Sequence, residues 1–79
     1  MAAEFRVYLE WTELNTVFEV DPTGASNSKA YSRRQAWEYV KRARERADMN
    51  ESIRLDTIEV IRRSAPNFDP EVVWSWHRV

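Results

Sequence analysis

The chain contains no cysteine, so neither a disulfide framework nor a thiolate metal site can reinforce its fold. Its one glycine, Gly24, rules out a glycine-rich phosphate loop. Its one histidine, His77, would have to serve any Ser–His relay or any histidine metal site alone. Zinc held mostly by carboxylates runs against the metal's ligand habits. His77 is therefore expected at the surface, without a catalytic or metal role. No stretch approaches the roughly 18–20 apolar residues of a membrane span, so no membrane contact is expected. Met1-Ala2-Ala3-Glu4 lacks a basic segment followed by an apolar run, so no signal peptide is expected and the location implied is cytoplasmic. There is no internal repeat and no low-complexity tract. Twelve bases against 13 acids leave a formal net charge of −1, which is not the balance of a polycation seeking nucleic acid.

What is present is aromatic. Seventy-nine residues make one domain, 1–79, and a chain of this size buries only about 60% of its unfolded surface. Four tryptophans in so thin a core are rich. Each ring brings roughly 150–250 Å² to hide.

Residues 4–11 read as a strand. Phe5, Val7, Leu9 and Trp11 alternate with Glu4, Arg6, Tyr8 and Glu10, so one face is apolar and the other polar. Thr12–Asn15 suits a turn, and Thr16–Val20 is β-branched and aromatic, with Phe18 and Val20 expected on the core face. Asp21-Pro22-Thr23-Gly24 signals a turn, continued as a loop through Ala25–Ala30. Asn27, Asn50 and Asn67 are the residues left to take tight, left-handed conformations.

A helix follows. Ser32 and Gln35 form a capping box, with Tyr31 and Ala36 at the positions of a hydrophobic staple. Ala36, Val40, Ala43 and Ala47 make an apolar stripe flanked by Trp37 and Tyr39. Arg34–Glu38, Glu38–Arg42 and Lys41–Glu45 stand four apart and can pair. Residues 54–63 favour a strand through Thr57, Ile58, Val60 and Ile61. Leu55, Ile58, Ile61 and Ala65 also trace a helical stripe, so a second helix in place of the third strand is the alternative. After a loop holding Pro66 and Pro70, residues 71–78 alternate Val72, Trp74 and Trp76 against Val73, Ser75 and His77. The expected class is α+β: a two-layer, four-stranded antiparallel sheet with one helix on one face, in the order β-β-α-β-β.

Catalysis needs a nucleophile, a tuned acid or base, or a metal in a concave site, and the residue types offer little to build one. No enzyme activity and no cofactor are expected. Glu10, Glu19 and Glu59 can share the open sheet face, which reads best as solvated. Two charged surfaces remain for partners. The first hairpin is acidic through Glu10, Glu13, Glu19 and Asp21, and could meet a basic groove. The helix is basic through Arg34, Lys41, Arg42, Arg44 and Arg46, interrupted by Glu38, Glu45 and Asp48. It could meet an acidic protein patch or, as the alternative, nucleic acid. Tyr8, Trp37 and Tyr39 are the candidate aromatic anchors, because binding hot spots favour Trp, Tyr and Arg. Trp74 and Trp76 are expected in the core.

This combination of small size, a small antiparallel sheet with one helix, and no catalytic set resembles small phage-encoded inhibitor proteins, anti-CRISPR proteins among them. The resemblance spans the whole chain in size and layout and carries over no individual residue. It implies a non-enzymatic protein-binding module that inhibits a bacterial defence complex, with a nucleic-acid-binding host complex as the partner, in the host cytoplasm. A small nucleic-acid-binding or regulatory protein using the arginine-rich helix is the runner-up. A homodimer joined through a sheet edge or the tryptophans is the third reading.

Overall fold

The computed structural model describes residues 4–14, 17, 20–64 and 69–78. Strand β1 spans Glu4–Glu13, β2 Thr23–Ala30, helix α1 Arg33–Met49, β3 Ile53–Arg63 and β4 Glu71–His77. The strands form one antiparallel sheet in the order β2-β1-β3-β4, and α1 packs on one face. The strand reading of residues 54–63 holds, and the helical alternative does not.

The covered face follows from alternation. Phe5 and Val7 of β1 meet Leu55, Ile58 and Val60 of β3, and Ala36 and Val40 of α1 close over them. Leu9, Trp11, Tyr39, Trp74 and Trp76 pack around this centre while staying half-buried. The two tryptophans of β4 thus edge the core without entering it.

The second strand lies elsewhere than its local propensity indicates. β2 is Thr23–Ala30, the segment read above as turn and loop, and Gly24 lies inside it. Of the expected strand 16–20, residues 16, 18 and 19 fall outside the described set. Val20 is 80% exposed, not on the core face. β2 is recruited by backbone pairing along β1, from Phe5 opposite Ala30 to Thr12 opposite Thr23. Its helix-facing side chains, Gly24, Ser26, Ser28 and Ala30, are all small, and only Ala30 is buried.

The helix begins as its sequence requires. Ser32 has extended backbone, and its Oγ accepts from the Gln35 amide at 3.1 Å. Gln35 Oε1 reaches back to the amide of Tyr31, at 2.8 Å, one residue before the cap. The expected staple does not form: Tyr31 is exposed beneath the Lys29 ammonium, 5.4 Å from the ring centre, while Ala36 is buried in the core. The helix ends without a left-handed residue. Asn50 has φ −121°, and its Oδ1 accepts from the Ser52 amide at 3.0 Å, so a side-chain turn replaces a glycine cap. Asn27 lies within β2, and Asn67 is outside the described residues.

Two bulges shape the sheet. Asp56 is the extra residue in β3 between the pairs Glu10–Thr57 and Trp11–Leu55. Val73 is the extra residue in β4 between Val60–Trp74 and Ile61–Val72. Bulges re-aim side chains and raise local twist; the first stands opposite Trp11 and the second beside Trp74.

Candidate functional site: an aromatic and arginine patch beside an edge strand

Helix position 37 and strand position 74 bring two indoles together. Trp37 and Trp74 meet edge to face, with centroids 5.0 Å apart and planes at 65°. This arrangement suits the ring quadrupoles. One helical stretch further on, Arg44 lies over both β4 rings, 5.5 Å from the centre of Trp74 and 5.7 Å from that of Trp76. Arg78 also lies near the Trp76 ring, 5.8 Å from its centre. Guanidinium groups at these distances are attracted by the negative ring faces. Trp37 remains 40% exposed at the rim. The patch continues onto β4, an edge strand that carries exposed Val72 and Val73. An apolar edge with unpaired backbone groups is a ready template for another chain.

The sequence-derived site residues are distributed as follows. Trp37 and Arg44 belong to this patch. Arg34 pairs with Glu38 at 3.9 Å. The other two expected helix pairs, Glu38–Arg42 and Lys41–Glu45, are not formed among the described residues. Lys41 is exposed, and Arg42 and Arg46 line a groove on the opposite flank of the helix with Tyr39. The helical cations therefore point to several sides and trace no continuous phosphate track. The acidic group is divided as well. Glu10 faces the open side, Glu13 pairs with Ile53 on the helix side, Asp21 is exposed and Glu19 lies outside the described residues. Residues three apart on a strand point to opposite faces, so Glu10 and Glu13 cannot share one surface.

The open sheet face is polar. Tyr8 stands between Asn27 and Glu59 and donates its hydroxyl proton to Glu10. That bond raises the phenol above its ordinary value, helped by partial burial and the charges of Glu10 and Glu59. The phenol is held as a donor and is already engaged. His77 is exposed on the same face, with Nδ1 3.4 Å from the Thr57 hydroxyl.

At the β3 bulge, Asp56 accepts from the Thr12 hydroxyl and, at 2.9 Å, from Arg54 Nε, while Arg78 Nε stands 4.0 Å from its carboxylate. Arg78 also closes the bulge, donating its amide to the Asp56 carbonyl at 2.8 Å and its Nε to the Leu55 carbonyl at 2.9 Å. The Thr12 bond lowers the Asp56 pKa most, Arg54 and Arg78 add to this, and burial opposes it. With the folded value below the unfolded one, this stabilisation is present above the unfolded pKa and lost as pH falls through the folded value. Asp56→Asn is expected to lower the urea midpoint at pH 7, and the gap to wild type should close below about pH 4. A gap that is constant from neutral to acid pH would show that the carboxylate charge contributes nothing.

Sequence reasoning found Trp37 and Arg44 separately. It missed their union with Trp74 and Trp76, because that depends on the register of β4 against β3 and on the helix azimuth. The available signal was the surplus of tryptophan itself. Among the described residues no group of three histidines, cysteines or carboxylates could hold a metal ion, and no helix is long and apolar enough to cross a membrane. No protein-family model, curated protein or solved structure matches the chain.

Proposed function

We propose that this chain is a non-enzymatic protein-binding module whose contact surface is the tryptophan and arginine patch with the adjoining edge of β4. The half-exposed Trp37, set edge to face against Trp74 beside Arg44, carries this reading. Tryptophan and arginine dominate binding hot spots, and here they sit preorganised by mutual packing. The free edge of β4 offers main-chain hydrogen bonds to a partner strand, and the patch offers side-chain specificity. By its size and layout the module fits a phage-encoded inhibitor that binds a bacterial defence complex.

Affinity capture from a bacterial lysate treated with nuclease tests this reading. Wild type is expected to retain a stoichiometric protein partner. Trp37→Ala and Arg44→Glu are each expected to reduce capture at least tenfold while the circular dichroism spectrum is kept. Absence of a stoichiometric partner, or capture indifferent to both variants, overturns it. Loss of capture on nuclease treatment would favour the nucleic-acid reading.

A further inference from the structure

The opposite flank of α1 carries a second, independent feature. Between the helix and the β1–β2 hairpin runs a groove of about 610 Å³. Its floor is apolar, made by Val7, Leu9 and Trp11 of β1 with Leu55 of β3 beside Trp11. The groove exists because both walls are short there: Ser26 and Ser28 face it from β2, and Ala43 and Ala47 from the helix. Interiors normally close-pack, so space of this size against leucine and indole forgoes dispersion contacts that an apolar body could supply. The volume lies within the range of small-molecule sites, about 300–1,000 Å³.

Charge selects the occupant. Arg42 and Arg46, one helical turn apart, border the groove. Among the described residues neither stands within ion-pair distance of a carboxylate. The only carboxylate among the described lining residues is Glu13, at the end where β3 begins. Two guanidinium groups above an apolar floor match a ligand with an apolar body and an anionic head. The fork of donors on arginine suits a carboxylate, which it can bind through two parallel hydrogen bonds.

We infer that this groove is a binding site for a small amphipathic carboxylate, its apolar body on Leu9 and Trp11 and its head between Arg42 and Arg46. The site shares no residue with the tryptophan patch and does not depend on the function proposed for that patch.

Isothermal titration of the full chain with decanoate, kept below its micelle concentration, tests the assignment, with decanol as the uncharged counterpart. Decanoate is expected to bind one to one, and decanol at least tenfold more weakly. The double variant Arg42→Ala/Arg46→Ala is expected to weaken decanoate at least tenfold. Glu13→Gln, which removes the opposing charge, is expected to tighten it. Ser28→Leu, which fills the groove from the exposed edge strand without touching the arginines, is expected to abolish it with the fold retained. No heat with decanoate, equal binding of decanol, or an unaffected double arginine variant overturns the inference. So does sedimentation showing a dimer that Ser28→Leu converts to monomer, since the occupant would then be a second copy of the chain.

Discussion

Replacing Ile58 with alanine is expected to lower the unfolding free energy by about 2–5 kcal/mol, the usual loss for truncating a buried isoleucine. Ile58 has no exposed surface and lies on β3, one of the two central strands of the sheet, where it faces the helix opposite Leu9. A chain of 79 residues has a total stability of only about 4–12 kcal/mol. The single change therefore removes a large fraction of it. Thermal unfolding is the direct measure, because each kcal/mol moves the midpoint of a domain this size by about 4–8 °C. Val20→Thr provides the contrast. Local sequence places Val20 in the core, but it is 80% exposed, so its replacement should leave stability within about 0.5 kcal/mol of wild type. A midpoint loss for Val20→Thr comparable with that of Ile58→Ala would mean that Val20 is packed rather than exposed.

That contrast shows what local pattern carries and where it stops. β1, α1, β3 and β4 were legible because each carries a run of apolar side chains, bulky on the strands and mostly small on the helix, whose spacing fits its element despite the bulges in β3 and β4. Phe5, Val7, Leu9 and Trp11 recur every second residue, and Ala36 and Val40 stand one helical turn apart. β2 was not legible for the same physical reason. Its helix-facing side chains are Gly24, Ser26, Ser28 and Ala30, which give no hydrophobic alternation, so Thr23–Ala30 reads as loop. Pairing with β1 is decided by backbone hydrogen bonds, and these leave no mark on residue type. Val17 and Val20 show the converse: both are strong strand formers, yet both are exposed, because propensity names no partner. The charged surfaces show the limit one level higher. Glu10 and Glu13 look like one acidic group along the chain, and the pleat sends them to opposite faces. Arg42 and Arg44 look like one basic run, and the helix turns Arg44 onto the tryptophans and Arg42 to the groove.

Gly24 is where the hidden strand can be tested most sharply. It pairs directly with Trp11, and a Cβ built on it would lie 2.6 Å from indole Cζ2 and Nε1. No real Cβ contact is that short, so the ring must move. Trp11 is packed against the core, and its displacement disturbs Leu9 and Leu55 with it. Gly24→Val is expected to destabilise by about 1–3 kcal/mol, the usual range for overpacking. The near-ultraviolet signal of the tryptophans should change as well. Glycine is otherwise a poor strand residue, and valine a good one. The sign should therefore reverse once the indole is gone: in a Trp11→Leu background, Gly24→Val is expected to be neutral or stabilising. A double-mutant cycle reads this as a coupling of about 1–3 kcal/mol between positions 11 and 24. Those positions are far apart in sequence and meet only if Thr23–Ala30 is a strand in this register. If Gly24→Val costs the same with and without the indole, or costs nothing in wild type, then β2 does not pair with β1 as described. The open groove along its inner face would fall with it.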